Sequence, residues 1–314
     1  MVKTAVIMAT YNGTKLLPIQ LDSIRDQSIK ADYVLFRDDC SSDETVKYLE
    51  EYIQKNNLVN WIVQINEKNM GWKKTFRQLM IDSLSYDVDY VFFSDQDDQW
   101  MENKIEEQLK VASAKPEIEV LSCDFDVKNV KDATYGVGTH NFEGSELLSQ
   151  YPKRFNYIAF KLGFTYMIKS SFIRELIPAW QDDALNIAHD RTVTLLSNLC
   201  GTGYNINQVL ATHIYHGDNV SGRRRITIHS HRSDHLLEIQ ENSQYYLVAE
   251  RFLEARGYGE DAKKARKYYD FYMRRYTTSK KGNIFLAVIQ ILRDWKMYFG
   301  METRARDLLF AIKK

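Results

Sequence analysis

The sequence predicts an α/β fold in which helices flank a mostly parallel sheet and a helical appendage follows. Two observations predict the sheet: short apolar runs alternate with segments of helical spacing, and a polar cluster follows three of the runs. A third predicts the appendage, because residues 233–253 and 261–276 have helical spacing and contain no proline. We expect one domain at residues 1–222 and the appendage at 223–314.

The predicted elements alternate between strand and helix through residue 93. The strands are short runs of apolar, β-branched or aromatic residues, and the helices repeat apolar residues on one face. Ser42 or Asp43 can cap the second helix. Strands that alternate with helices imply right-handed crossovers and a mostly parallel sheet. The elements in order are strand 4–9, helix 16–24, strand 33–36, helix 44–53, strand 61–65, helix 72–84 and strand 90–93.

The three polar clusters lie at residues 10–13, 38–43 and 95–98, after the first, second and fourth strands. Ligands of parallel α/β sheets bind beyond the carboxyl ends of the strands. Because all three clusters fall at those ends, we expect them to form one site.

The cluster after the fourth strand holds three carboxylates within four residues, Asp95, Asp97 and Asp98. Residues two apart in an extended segment point to the same side, so Asp95 and Asp97 can face one ligand. Like charges this close raise each other's pKa unless a cation lies between them. Mg²⁺ or Mn²⁺ fits, since both take oxygen ligands and are shared with substrate phosphates. A solvated acidic turn would explain the same residues.

Two later segments carry further candidates. Asp190 precedes a helix-like run at residues 193–199, where the helix dipole favours a carboxylate and capping alone would explain it. His216 follows the strand-like run 212–215 and can be a loop histidine bonded to backbone. As a metal ligand it would favour Mn²⁺, because imidazole is less usual on Mg²⁺.

These segments together resemble a known family. Ala-Thr-Tyr-Asn-Gly at 9–13, Arg-Asp-Asp-x-Ser-Ser-Asp-x-Thr at 37–45 and Phe-Ser-Asp-Gln-Asp-Asp-x-Trp at 93–100 are similar to motifs of bacterial rhamnosyltransferases. Asn69–Lys74 resembles the family's Asn-x-Gly loop, and residues 216–222 resemble its His-x-x-Asn-Val-x-Gly ending. Residues 1–222 therefore resemble a family 2 glycosyltransferase of the GT-A fold.

The resemblance implies roles for individual residues. Asp39 would hold the nucleotide base, Asp95 the ribose and Asp97 the metal, with His216 reaching the metal or the diphosphate. Asp190 would be the general base of an inverting transfer. Asp98 and His189 are possible additional site residues, and we expect His189 to orient a neighbour or to pack. The residues expected to bind the nucleotide-sugar are Thr10, Tyr11, Asn12, Asp39, Lys74, Asp95 and Gln96, although a solvated lysine at a helix start would also explain Lys74.

Composition fits a folded enzyme with reduced thiols. The chain has 314 residues, of which 44% are hydrophobic, enough for a large α/β domain and an appendage. Its three cysteines are odd in number and widely spaced, which indicates neither a disulfide framework nor a zinc ribbon. The sequence opens directly into a strand, and the late apolar run 284–289 is too short to span a bilayer. We therefore expect a cytoplasmic protein.

The net charge of zero conceals an asymmetry: residues 1–222 carry a balance of −9 and residues 223–314 a balance of +9. Basic pairs of the second region are interleaved with aromatic residues, which suits an anionic membrane surface. Trp295, Tyr298 and Phe299 could settle at the headgroup level. The same residues could grip nucleic acid, cover the acidic domain or be solvated helix faces. We expect peripheral binding at the inner face of the plasma membrane and no nucleic-acid partner.

The sequence thus predicts an inverting, metal-dependent glycosyltransferase that uses Mn²⁺ or Mg²⁺. The resemblance favours transfer of L-rhamnose from dTDP-rhamnose to a growing surface polysaccharide or lipid-linked glycan, with a UDP-hexose donor as the alternative. A nucleotidyltransferase could use a similar sheet and acid pair, but it would usually have a Gly- and Arg-rich triphosphate loop after its first strand. A non-catalytic glycan-binding protein could keep the fold without the acids, and here the acids are present.

Overall fold

The computed structural model describes residues 2–130, 133, 146–155, 161–181, 185–217, 219, 226–227 and 229–313. These residues fall into two compact units. The first lies within Met1–Lys153, Ala159–Pro178 and Ala188–Ser221, and the second within Arg154–Ile158, Ala179–Ile187 and Gly222–Lys314.

The first unit is an α/β structure. In chain order its elements are β1 Thr4–Thr10, α1 Leu17–Arg25, β2 Tyr33–Asp38, α2 Thr45–Lys55, β3 Trp61–Ile65, α3 Trp72–Ser83, β4 Tyr90–Ser94, β5 Gln99–Trp100, α4 Lys104–Ala114, β6 Val120–Asn129, β7 Leu148–Gln150, β8 Met167–Lys169, α5 Ser170–Ala179, α6 His189–Cys200 and β9 Gly203–Tyr215. The predicted strands and helices between residues 4 and 94 all form, with ends shifted by a few residues at most.

One sheet organises this unit, in the order β3-β2-β1-β4-β8-β6-β9-β5, with β7 paired to β9. β3, β2, β1 and β4 are parallel, as predicted. Beyond β4 the sheet is mixed, because β8 runs antiparallel to both β4 and β6. β1 is central, and its residues 5–8 are completely buried, which explains their continuous apolar run.

The second unit is helical in its described C-terminal part. Its helices are α7 Arg232–Ala255, α8 Gly259–Lys281, α9 Ile284–Arg293 and α10 Gly300–Ile312. The turn between α7 and α8 uses Gly257 at φ 80°, a conformation that glycine adopts without strain. The predicted helices 233–253 and 261–276 are confirmed, and α9 and α10 follow them.

A buried ionic network holds α7, α8 and α10 together. Arg275 makes two hydrogen bonds to Asp307, at 2.8 and 2.7 Å, and Tyr298 donates to the same carboxylate at 2.8 Å. His235 Nε2 lies 3.1 Å from Asp307 Oδ1. Burial opposes ionisation of Asp307, but the charge and hydrogen bonds of Arg275 hold its pKa below the usual range. Arg275 and Tyr298 are therefore structural residues, which corrects the expectation that Tyr298 reaches a membrane surface.

None of the helices in the described segments combines the length and the apolar character that a bilayer crossing requires.

Candidate active site

The carboxyl ends of β1, β2 and β4 meet at one edge of the sheet and are hydrogen-bonded to each other. Thr10, at the end of β1, donates its hydroxyl to Asp38 Oδ2 at 2.9 Å. Gln96, just after β4, accepts from the backbone N–H of Tyr11 at 3.0 Å and donates to its carbonyl at 3.1 Å. The three polar clusters predicted from the sequence thus lie together, and the exposed Tyr11 ring borders them.

Asn12 shapes the loop after β1. Its φ is 46°, a left-handed conformation in which asparagine is enriched. Its backbone N–H donates to Ser41 at 2.8 Å, and its side-chain oxygen accepts from the backbone of Ser42 at 2.9 Å. The loop after β1 is therefore held to the loop after β2 by side-chain hydrogen bonds.

Asp39 is nearly fully buried, and its carboxylate joins two loops. It accepts hydrogen bonds at 2.8 Å from Asn66 Nδ2, from the Met70 N–H and from the Gly71 N–H. Gly71 has φ 81° and immediately precedes α3. Asp39, which we expect at the nucleotide base, therefore also holds the loop that leads into α3.

Lys74 lies in the first turn of α3 with an exposed side chain. Within the described segments its ammonium has no ion-pair partner. The geometry is compatible both with a contact to a substrate phosphate and with a solvated lysine.

The two predicted metal ligands touch each other. His216 Nε2 lies 3.0 Å from Asp97 Oδ2, and both side chains are partly exposed. Asn219 Nδ2 donates to the same Asp97 oxygen at 3.0 Å, and its own oxygen accepts from the His216 backbone at 2.9 Å. Asn219 thus braces the pair. Asp218 and residues 220–222 of the same motif lie outside the described residues.

Asp98 lies in the interior of the unit, where it is completely buried. Its Oδ1 lies 2.6 Å from His213 Nδ1 and accepts from the Ile214 N–H at 3.2 Å. Its Oδ2 has no hydrogen-bond partner among the described residues. Asp98 therefore supports the strand that leads to His216 rather than facing the open edge.

The carboxyl groups of the acidic cluster oppose each other's ionisation. Burial, then the charges of Asp98 and Asp97, and more weakly that of Asp190, raise the pKa of Asp95 well above its usual range. Burial and Asp97 do the same to the pKa of Asp98. A cation at this edge would relieve the repulsion.

Asp190 lies in the first turn of α6, partly exposed, and its Oδ1 accepts from the Arg191 N–H at 2.6 Å. The preceding residue, His189, lies with its ring centroid 4.9 Å from that of Phe93 in β4, two residues before Asp95, so the start of α6 is close to the acidic cluster. The Asp190 carboxylate thus accepts a hydrogen bond at the start of α6 and has further lone pairs that can accept a proton.

His189 is packed, as expected, and does not face the site. Its ring stacks on Phe76 with centroids 4.0 Å apart and meets the edges of Phe93 at 4.9 Å and Trp72 at 5.9 Å. Burial lowers its pKa to about 4, against the opposing effect of Asp190. The neutral ring therefore fixes the start of α6, and with it the backbone of Asp190.

A family model agrees with this architecture. The model described as "Glycosyl transferase family 2" matches residues 5–178, more than half of the chain. This chain belongs to glycosyl transferase family 2. The matched region contains Thr10 at the end of β1, Asp39 directly after β2, and Asp95 and Asp97 after β4.

Two curated relatives share parts of the sequence. A segment of 103 residues is 36% identical to the dTDP-rhamnosyl transferase RfbG of Shigella flexneri, covering 32% of this chain and 35% of that protein. A segment of 120 residues is 28% identical to the bifunctional glycosyltransferase pgtA of Dictyostelium discoideum, covering 38% of this chain and 15% of that protein. The match thus spans about a third of the first relative and less of the second.

Solved structures share the fold. S. aureus TarS 1-349 in complex with UDP-GlcNAc has a TM-score of 0.58 at 14% identity, with 99% of this chain and 90% of that chain covered. The mannosyltransferase PcManGT of Pyrobaculum calidifontis, in complex with GDP-Man and Mn²⁺, has a TM-score of 0.51 at 14% identity, with 99% and 86% covered. These family relationships confirm the predicted GT-A fold.

A divalent cation fits the residues at the edge, although the protein alone does not enclose it. No group of three or more His, Cys, Asp or Glu side chains arranged to hold a metal is found in the described segments. Asp97 and His216 would supply one oxygen and one nitrogen, and Mg²⁺ or Mn²⁺ commonly completes its coordination with substrate phosphates and water. The electrostatic strain of the cluster favours such an ion.

Sequence reasoning missed three residues that shape the site. Asp38, buried beside Asp39, accepts from the Ser41 N–H at 2.7 Å and orders the loop after β2. Asn219 belongs to the His-x-x-Asn-Val-x-Gly motif at residues 216–222, and this motif was the available signal for its hydrogen bonds to Asp97 and His216. His213 carried no such signal, because its partner Asp98 is 115 residues away.

Proposed function

We propose that this protein is an inverting, divalent-metal-dependent glycosyltransferase. The observation that carries the proposal is the contact of Asp97 with His216 at the carboxyl edge of the parallel strands. Asp190 lies near the same edge, because its neighbour His189 packs against Phe93 of β4. The transfer of a sugar from a nucleoside diphosphate to an acceptor hydroxyl needs a cation at the diphosphate and a separate carboxylate that takes the hydroxyl proton. These residues could supply both.

The favoured donor is dTDP-L-rhamnose and the alternative is a UDP-hexose. Support for rhamnose comes from the named activity of the RfbG relative and from the motif at residues 93–100. The acceptor we propose is a growing cell-surface polysaccharide or a lipid-linked glycan, used at the inner face of the plasma membrane.

The residues would divide the work as follows. Thr10, Tyr11, Asn12 and Gln96 form the preorganised floor for the nucleotide, with Asp39 behind it at the base and Asp95 at the ribose. A bound Mn²⁺ or Mg²⁺, held by Asp97 and His216, would neutralise charge on the departing diphosphate. Lys74 would add a positive charge near the phosphates.

Asp190 would take the proton of the acceptor hydroxyl. In an inverting transfer the acceptor oxygen attacks the anomeric carbon from the face opposite the diphosphate, so the base must stand apart from the metal ligands. Asp190 belongs to α6, whereas Asp97 belongs to the loop after β4, so the proposed base and the proposed metal ligand come from different elements.

Thermal stabilisation by a panel of nucleotide-sugars, with and without Mn²⁺, tests the proposal. A true donor at 100 times its Kd should add about 2.7 kcal/mol to the free energy of unfolding. We expect dTDP-rhamnose with Mn²⁺ to give the largest shift. Asp97→Ala should lose the Mn²⁺-dependent part, whereas Asp87→Ala, at a surface carboxylate with a 96% exposed side chain, should keep it.

A larger shift with a UDP-hexose would replace rhamnose as the donor. If no nucleotide-sugar stabilises the protein with either metal, the glycosyltransferase proposal is wrong.

A further inference from the structure

The helix α9 exposes an apolar face. Its buried residues Ala287, Gln290 and Ile291 recur at helical spacing and face the rest of the second unit. The opposite side carries Phe285, 76% exposed, and Leu292, 68% exposed. Large apolar side chains this exposed are ordinary when they are single, but a contiguous group marks an interaction surface.

The exposed group continues past α9. Nine large apolar side chains between residues 284 and 301 are exposed, close to half of all such side chains in the described structure. We call them the α9 patch. They are Ile284, Phe285, Leu286, Val288, Ile289, Leu292, Trp295, Phe299 and Met301.

The charge around the α9 patch is mainly positive. Lys280, Lys281 and Lys296 are exposed, and no ion pair holds any of them within the described residues. Between residues 280 and 301 the sequence has one carboxylate, Asp294, which is buried and paired with Arg274 at 3.0 Å. The exposed Glu302, directly after the α9 patch, is paired with Arg306 at 3.1 Å. An apolar surface rimmed by uncompensated lysines complements a surface that is apolar inside and negative at its rim.

Several other basic residues of this unit are engaged in ion pairs, whereas Lys267 of α8 is exposed and has none among the described residues. Lys263 pairs with Glu260 at 2.8 Å, Lys264 pairs with Asp261 at 3.2 Å, and Arg275 is buried on Asp307. Arg223, Arg224 and Arg225, the start of the basic region, lie outside the described residues. Near α9, by contrast, exposed lysines without an ion pair among the described residues adjoin a large exposed apolar group.

We propose that the α9 patch docks in the interface of an anionic lipid bilayer. At ten residues α9 is too short to cross the bilayer, so it would lie in the interfacial plane with its apolar face in the acyl boundary. Trp295 and Phe299 are of the residue types that settle at the headgroup level. The lysines would meet the negative headgroups, whose attraction fades within a Debye length.

A second copy of the chain fits the patch less well. A symmetric contact places the same surface on both partners, so it would bring Lys280, Lys281 and Lys296 of one copy toward those of the other. Like charges at a contact oppose association. The proposal goes beyond glycosyl transfer and does not depend on it, because binding is measured without substrate.

Sedimentation of the full chain with lipid vesicles tests the proposal. We expect binding to vesicles of phosphatidylcholine mixed with phosphatidylglycerol, little binding to phosphatidylcholine alone, and release as salt rises. Ile289→Ser with Leu292→Ser should lower the partition coefficient by about tenfold or more, since each exchange removes a buried apolar side chain from the docked state. Lys280→Glu with Lys281→Glu should also weaken binding, and more strongly at low salt.

The matched control is Ile29→Ser with Val59→Ser, two exposed apolar residues of the first unit, which should bind vesicles like the unaltered chain. Thermal unfolding should be similar for both double variants, because all four side chains are exposed. The proposal is overturned if the unaltered chain ignores anionic vesicles at low salt, or if Ile289→Ser with Leu292→Ser leaves binding unchanged. A dimer in solution that Ile289→Glu disperses, without vesicle binding, would assign the patch to a second copy instead.

Discussion

Replacing Asp39 by alanine should separate its structural contribution from its proposed contact with the nucleotide base. The carboxylate is the shared acceptor for Asn66 Nδ2 and for the backbone N–H groups of Met70 and Gly71. Alanine leaves all three donors without that acceptor and frees the loop that begins α3.

The expected loss can be worked out from these bonds. Each buried donor left unsatisfied costs about 1–3 kcal/mol. Asn66 is buried, and it retains a second bond to Thr75 Oγ1 at 3.1 Å, whereas Met70 and Gly71 are only partly buried and can recruit water. Taking the lower end for each gives a loss of about 3 kcal/mol in the free energy of unfolding.

Urea unfolding without nucleotide measures this loss directly, and titration with dTDP measures binding. We expect Asp39→Ala to be less stable by about 3 kcal/mol and also to bind dTDP more weakly. The control is Asp87→Ala, which removes a carboxylate from the surface. Asp43→Ala would itself remove hydrogen bonds, because Asp43 accepts from Thr45 and Thr14. A stability within about 0.5 kcal/mol of the unaltered chain, the range of ordinary surface substitutions, would refute the structural reasoning.

Three further predictions concern charged side chains. Asp190→Asn should retain donor binding and most of the stability but lower kcat by roughly 10²–10⁴-fold, the usual contribution of a positioned base, and a near-normal kcat would leave Asp190 as a helix-terminus residue. Burial lowers the pKa of Lys104 from 10.5 to about 8, so the free energy of unfolding should rise with pH between these values. Lys104→Met should therefore have a free energy of unfolding whose excess over that of the unaltered chain shrinks by up to about 3 kcal/mol as pH rises through this window. An excess that does not change with pH would contradict a buried lysine with a lowered pKa. Asp307 contributes stability that is intact above the unfolded pKa of about 4 and lost as pH falls below it, so Asp307→Asn should be less stable at neutral pH and less sensitive to acid in denaturation curves.

Much of the first unit could be predicted from sequence because its central strands are continuous apolar runs and its helices are amphipathic. The mixed part of the sheet could not, since β8 is three residues long and shows no periodicity. β9 is thirteen residues long, but the sequence predicts only its last segment, because its alternation is irregular where it pairs with β6 across a register shift.

Some features of the candidate site could likewise be predicted from the sequence, and others could not. The motif resemblance joined Asp97 to His216 although they are 119 residues apart. It could not show that Asp39 fastens the Met70–Gly71 loop, because that role depends on backbone donors, which carry no sequence signal. It also did not separate Arg275 and Tyr298, buried on Asp307, from the exposed residues around α9. Burial within a helical bundle depends on which faces meet, and a basic composition says nothing about that.

The central claim is that a cation bound at Asp97 and His216 serves the departure of the nucleotide diphosphate. Release of dTDP from dTDP-rhamnose, measured with excess Mn²⁺, after chelation by EDTA, and in Asp97→Ala, tests it most directly. The account predicts release by the unaltered chain and by Asp87→Ala, and its loss with EDTA or with Asp97→Ala at unchanged folding. Full release in excess EDTA, or by Asp97→Ala, would contradict it.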